Sequence, residues 1–220
     1  MAEPKQNPHT EPYALDTKPE LRKRLRARRR SLSRAHQTGA ARNLLAQLKS
    51  LPVFRNARKI AMYLANDGEI DPVRVMAWCW RNGIQCYVPV VMPGGRNTLV
   101  FAEVTEHTTF VENRFGIQEP VVRGHNLIDP QQLDLVLLPL VAFDTNGNRV
   151  GMGGGFYDAT FGSVRETGGD RPRLIGIAHD IQRVGRIDAE PWDIPLSAVV
   201  TDAAVYPRIP GSRGPSGNHG

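Results

Sequence analysis

Six short apolar runs, spaced so that helices fit between them, constrain this chain more than any other feature. Lys59 to Ala65, Ile84 to Val91, Thr98 to Val104, Arg173 to Ala178 and Ser197 to Thr201 read as strands, and Leu133 to Phe143 contains a strongly apolar one. Thr17-Lys18-Pro19-Glu20 has the T-x-x-E form of a capping box with Pro in the first turn. It opens a helix from about 18 to 34 with Leu21, Leu25, Arg28 and Leu32 on one face. A second helix turns Leu44, Leu45, Leu48 and Leu51 inward and ends before Pro52. The turn Asn66-Asp67-Gly68 closes the first strand. A third helix starts at Asp71-Pro72, carries Val75, Met76 and Cys79, and stops at Asn82-Gly83. Strands alternating with helices predict a single α/β domain, a mostly parallel sheet flanked by helices on both faces. In such sheets the ligand crevice lies beyond the carboxyl ends of the strands. We assign the domain to residues 17–206 and read 1–16 and 207–220, rich in Pro, Gly, Ser and Asn, as disordered tails.

The formal charge of +6 suggests nucleic acid until it is located. Residues 18–34 hold nine of the 28 Lys and Arg, with Glu20 as their one acid. The other 19 basic and 21 acidic side chains leave the rest of the chain slightly negative, so no general basic footprint covers the domain. The Arg-rich stretch 22–30 keeps a nucleic-acid-binding reading open, although no helix-turn-helix, zinc or RNP signature accompanies it. Cys79 and Cys86 lack metal-spaced partners and read as two free thiols, one on a helix and one in the next strand. No apolar run approaches the roughly 18 residues of a membrane span, and residues 1–17 lack the apolar core of a secretory signal. A cytoplasmic protein is expected. Tyr63, Trp78, Trp80 and Phe115 read as core, and no histidine sits in a recognisable catalytic triad signature.

The chemistry concentrates where the run Leu138 to Phe143 ends. Asp144 is followed by a turn carrying Asn148-Arg149, then by the glycine-rich loop Gly151-Met152-Gly153-Gly154-Gly155 leading into Phe156-Tyr157-Asp158. Glycines let a ligand approach the backbone, and successive N–H groups at a helix N-terminus make an anion nest. Arg149 adds a planar cation suited to phosphate oxygens, and Asp158 is placed for a metal riding on those phosphates. The loop is neither a Walker A motif nor a Rossmann G-x-G-x-x-G. On these grounds alone it binds phosphate, with no reaction specified.

The longer string does specify one. Pro139-Leu-Val-Ala-Phe-Asp144 followed by Asn148-Arg-Val-Gly-Met-Gly-Gly-Gly-Phe-Tyr-Asp158 resembles the signature of the 5-formyltetrahydrofolate cyclo-ligase family. Three further matches keep the family's order: Lys18-Pro19-Glu20-Leu21-Arg22 for its K-x-x-L-R, Leu64 with Glu69, and Asp193 in Pro191-Trp-Asp-Ile-Pro-Leu196. The resemblance spans about residues 18–206 and implies a Rossmann-like three-layer fold. It implies ATP contacts at Lys18, Arg22, Arg149, Gly151, Gly153, Gly154, Gly155 and Tyr157. For the folate it implies Arg22, Leu64, Glu69, Met152, Gly153, Gly154, Gly155 and Phe156. Magnesium falls to Asp158 and Asp193. Many members carry Arg where this chain has Met152, Tyr where it has Phe156, and some carry Lys where it has Gly154. This loop is therefore expected to hold phosphate mainly through N–H groups and Arg149.

What the resemblance implies is the Mg²⁺-dependent reaction of 5-formyltetrahydrofolate with ATP to give 5,10-methenyltetrahydrofolate, ADP and phosphate, through a phosphorylated formyl intermediate. Phosphoryl transfer needs positioning and charge neutralisation more than a nucleophile, which agrees with the residue types present. The expected partners are small molecules, with neither membrane nor nucleic acid, and the expected state is a monomer. A paralogue that binds folate or nucleotide without turnover is the third reading.

Overall fold

The structure, a computed structural model, describes residues 16–91, 97–112, 118–122, 124–166 and 171–207. Residues 1–15 and 208–220 of the expected tails, and Phe115, lie outside them. In chain order the elements are α1 Lys18–Arg30, α2 Arg34–Ser50, α3 Pro52–Asn56, β1 Lys59–Met62, α4 Val73–Arg81, β2 Gln85–Val91 and β3 Leu99–Val104. Then come β4 Phe110–Glu112, β5 Gln118–Pro120, β6 Leu127–Ile128, β7 Leu135–Pro139, β8 Ala142–Phe143 and β9 Arg149–Val150. The chain continues with α5 Phe156–Glu166, β10 Arg173–Ala178, β11 Ala198–Thr201 and β12 Val205–Pro207.

The main sheet has eight strands in the order β12-β11-β10-β7-β1-β2-β3-β6. The five from β11 to β2 are mutually parallel, while β12, β3 and β6 add antiparallel edges. This is the expected α/β fold. Both faces are buried, and residues along β7 alternate between them: Leu135 and Leu137 meet Leu44, Leu48, Val75 and Met76 of α2 and α4. Val136 and Leu138 meet Phe161 and Val164 of α5. A smaller cluster packs Leu21 and Leu25 of α1 on Val141, Ala142 and Val150.

Two expectations need correction. The first helix does not reach residue 34. Ser31 Oγ donates to the Arg28 carbonyl at 2.8 Å and Ser33 caps α2 by accepting the His36 N–H at 3.2 Å, so the two serines end one helix and begin another. Leu32 is thus off the helix, and the buried face of α1 is Leu21, Leu25 and Arg29, at intervals of four, instead of Arg28 and Leu32. The run Leu133 to Phe143 contains an apolar strand, β7, as expected; after Pro139 the chain leaves the main sheet and Ala142–Phe143 pairs with Arg149–Val150. As read from the sequence, Tyr63 is buried and Trp78 and Trp80 pack against the core. Cys79 and Cys86 are buried free thiols, and the neighbouring Cys79 together with burial pushes the Cys86 thiol far up, which keeps it inert.

Candidate active site

Because five strands run parallel, the segments leaving their carboxyl ends gather along one edge of the sheet. Strand order reverses between β1 and β7: the chain goes from β1 to β2 on one side, then returns to β7 on the other. A crevice is expected at such a reversal. The turn after β1 brings Asp67 and Glu69 to it, and the β8–β9 hairpin after β7 brings the glycine-rich loop.

The hairpin is built on Asp144, which is wholly buried. Its Oδ1 accepts the N–H groups of Asn146 and Asn148, both at 2.9 Å, and its Oδ2 accepts Asn148 Nδ2 at 2.9 Å and the Ile187 N–H at 3.0 Å. Four donors on one carboxylate fix the turn that presents Arg149. From β9 the loop Gly151 to Gly155 runs into the N-terminus of α5, where unpaired N–H groups and the helix dipole favour an anion. Gly153 has φ of 104°, and a Cβ there would stand 3.7 Å from Arg22 Cζ, so the backbone turns left-handed against that guanidinium.

The loop forms one wall of a cleft of about 610 Å³. Lys18, Arg22, Arg149, Gly151, Met152, Gly153, Gly154, Gly155, Phe156, Tyr157, Asp158 and Asp193 all line it, joined by Glu190 and Trp192. Arg22 Nε donates to the Gly151 carbonyl at 2.8 Å, which pins the side chain and leaves its Nη groups for a ligand. Lys18 Nζ lies 3.1 Å from Glu190 Oε1 and 3.9 Å from Asp193 Oδ2. The Arg149 side chain is nearly buried, and its terminal nitrogens donate to the Ile194 carbonyl and the Asp158 carboxylate. Asp158 Oδ1 also accepts the Ile194 N–H at 3.1 Å, so the loop and the segment bearing Asp193 are tied together. Among the described residues Asp158 Oδ2 and Asp193 Oδ1 have no hydrogen-bond partner.

Leu64 lines a neighbouring cavity of about 390 Å³, with Tyr63, Asn66, Asp71, Met76 and Phe110. Glu69 lines neither space; its Oε1 stands 3.5 Å from Arg29 and its Oε2 accepts the Asn66 N–H at 3.1 Å. Burial pushes its carboxyl above the ordinary value, against the opposing pull of the Asn66 N–H and of Arg29. Burial and then the Glu69 charge raise both Tyr63, beside the second cavity, and Tyr157, beside the first. Arg29 joins the two halves. It is wholly buried, donating to the Asp67 carbonyl at 2.9 Å, Asp67 Oδ2 at 2.8 Å, the Leu140 carbonyl at 3.2 Å and Met152 Sδ at 3.7 Å, with Glu69 Oε1 at 3.5 Å. Arg26 and Arg30 also reach Asp67, each at 2.7 Å. Gly68, with φ of 74°, lies so close to α1 that a Cβ would stand 3.0 Å from the Arg29 carbonyl oxygen.

Of the site residues read from the sequence, all but Leu64 and Glu69 line this cleft; Leu64 lines the neighbouring cavity and Glu69 lines neither. Sequence reasoning missed Arg29, Asp67, Glu190 and the 70% exposed Trp192. Only Arg29 had a usable signal, its spacing of four from Leu25. It also read Arg149 as a phosphate fork, whereas both terminal nitrogens are engaged by protein.

A family model described as the 5-formyltetrahydrofolate cyclo-ligase family matches residues 14–202. Among known proteins the chain is similar to the 5-formyltetrahydrofolate cyclo-ligase of Escherichia coli, 36% identical over 182 residues, covering 83% of this chain and 98% of that one. It is 34% identical over 177 residues to the protein of the same name from Haemophilus influenzae, covering 80% and 93%. Among solved structures it resembles the NMR structure of Aquifex aeolicus 5,10-methenyltetrahydrofolate synthetase with a TM-score of 0.72 at 30% identity, covering 92% of this chain and 97% of that one.

Proposed function

The chain belongs to the 5-formyltetrahydrofolate cyclo-ligase family, and on that premise we propose that it converts 5-formyltetrahydrofolate to 5,10-methenyltetrahydrofolate with cleavage of ATP to ADP and phosphate. The observation that carries the reading is one strand-order reversal joining an anion-binding half, made of Lys18, Arg22 and the glycine loop, to a half built around buried Glu69.

The formyl oxygen is a poor leaving group. It attacks the γ-phosphorus of ATP, the bond to the β-phosphate oxygen breaks, and ADP leaves. The folate 10-nitrogen then attacks the formyl carbon and loses its proton, and the carbon–oxygen bond breaks to release phosphate. Loop N–H groups and the Arg22 Nη groups hold phosphate oxygens, and Lys18 offsets their charge. Arg149 acts by holding Asp158 and the Ile194 carbonyl in register. Glu69 accepts ring N–H groups of the pterin, while Leu64, Met152 and Phe156 give it apolar surface.

The donor set fits Mg²⁺. Asp158 and Asp193 offer hard carboxylate oxygens, and the Ile194 N–H bond to Asp158 brings their two segments together. These two residues would hold the ion, whose charge would neutralise the phosphoryl oxygens during transfer. Arg22, Arg26, Arg29 and Arg30 of α1 turn to Gly151 or Asp67, which supports an internal use of its charge over nucleic-acid binding. Among the described residues no helix is long and apolar enough to cross a membrane. We take the protein to act as a cytoplasmic monomer.

The test is incubation with 5-formyltetrahydrofolate, ATP and Mg²⁺, reading the near-UV absorption of the methenyl product. Product that requires both ATP and Mg²⁺ is expected. Folded protein giving none would overturn the reading and leave a binder without turnover.

A further inference from the structure

Away from the cleft, three side chains from separate elements meet where β10 and β11 end. His179 follows β10, Asp202 follows β11, and His36 sits in the first turn of α2. One ligand atom from each lies within 4.8 Å of the other two. His36 Nε2 is 3.8 Å from Asp202 Oδ2, and the imidazole centroids are 5.8 Å apart. Asp202 is anchored through Oδ1, which accepts the Asp180 N–H at 2.8 Å. Asp180 is itself held, its Oδ1 accepting Thr201 Oγ1 at 3.0 Å and the Tyr206 hydroxyl at 2.7 Å.

His179 is wholly buried, and its ring nitrogens meet only backbone, at Gly68 and the Gln182 turn, with no side-chain hydrogen-bond partner of good geometry. Buried polar atoms in native proteins are nearly always well satisfied, and a ligand at this ring would complete its coordination. Burial lowers the imidazole pKa to about 4, outweighing the opposite pull of Asp202.

We propose that His36, His179 and Asp202 form a transition-metal site that takes Zn²⁺. Two imidazoles and a carboxylate are three protein ligands of the kind zinc accepts, with a fourth position open to solvent. Ligand atoms about 2.0–2.1 Å from zinc stand closer together than 4.8 Å, so one side chain must move inward. His36, the exposed member, is free to do so. The bound ion would tie α2 to the ends of β10 and β11. Imidazole donors disfavour Mg²⁺, which separates this site chemically from the oxygen donors Asp158 and Asp193.

Metal-free full-length protein would be titrated with Co²⁺ in millimolar Mg²⁺, and the visible d–d bands followed. One equivalent should bind, Zn²⁺ should displace it, and Mg²⁺ should not. His36→Ala and Asp202→Asn should each weaken Co²⁺ binding at least about tenfold while melting like the wild type without metal. His179→Gln should abolish binding, and if it fails to fold the other two variants still decide. Co²⁺ affinity unchanged in His36→Ala and Asp202→Asn, or displacement by Mg²⁺, would overturn the site.

Discussion

Arg29→Met removes a wholly buried guanidinium and keeps most of the hydrocarbon volume. Five groups lose contact with it, but they are not equally deprived. Asp67 keeps Arg26 and Arg30, each at 2.7 Å, and the Leu140 carbonyl keeps Gln182 Nε2 at 2.6 Å. What stays uncompensated is the Asp67 carbonyl and, above all, Glu69, whose side chain is 10% exposed and retains only the Asn66 N–H at 3.1 Å. Breaking a fully buried pair costs roughly 3–5 kcal/mol, and a buried orphan carbonyl roughly 1–3 kcal/mol. The shared partners place this substitution toward the lower end, at about 3 kcal/mol. That corresponds to a fall in Tm of roughly 6–12 °C for a domain of this size.

The assay is denaturant unfolding, in which the midpoint should fall with the slope unchanged. The loss should also depend on pH. Without Arg29 the Glu69 carboxyl, already raised by burial, rises further, so the folded variant binds a proton that the unfolded chain does not. Its penalty is greatest at neutral pH, where Glu69 is an unpaired ion, and shrinks as pH falls through the raised pKa. Asp67, held low partly by Arg29, moves the difference in the same direction. Arg29→Lys keeps the charge without the fork and should fall between wild type and Arg29→Met. An unchanged midpoint, or a deficit constant from about pH 7 to about pH 5, would refute the role given to Arg29.

Asp144→Ala strands four donors and should cost about 3 kcal/mol or more, with Asp144→Asn intermediate, read by the same unfolding curves. Asp158→Asn should lower turnover roughly 100-fold with the far-UV spectrum unchanged, and added Mg²⁺ should partly restore it; wild-type rates would remove Asp158 from the metal site. Glu69→Gln should raise the folate KM roughly tenfold and leave that for ATP nearly unchanged, whereas equal shifts would mark a structural role. Lys18→Ala with Arg22→Ala should weaken ATP binding sharply; tight, steeply salt-dependent oligonucleotide binding by the wild type with ATP binding unaffected in the variant would reverse the assignment of α1.

How far the sequence can be read depends on the range over which each interaction acts. The parallel strands were legible because period and apolar content are local, and the glycine loop with Asp158 was legible because one continuous string carries it. The antiparallel edges β3, β6 and β12 were not, since alternation is the same whichever way the neighbour runs. Arg29 shows the limit most clearly. In the run Arg28-Arg29-Arg30 three identical side chains differ only in helical phase, and extending the helix to 34 set that phase by Leu32. Once the serines end α1, Leu21 and Leu25 alone set it, and Arg29 turns inward. Its acceptors are 38 and 111 residues away, so no window around it could show which arginine finds them. Arg149 carries the converse lesson. Its place beside the glycine-rich loop is local and was foreseen, but its partners arrive from Ile194 and Asp158, and they make it the brace of the loop. Local sequence set the backbone of this site, and long-range pairing decided which cations face the ligand.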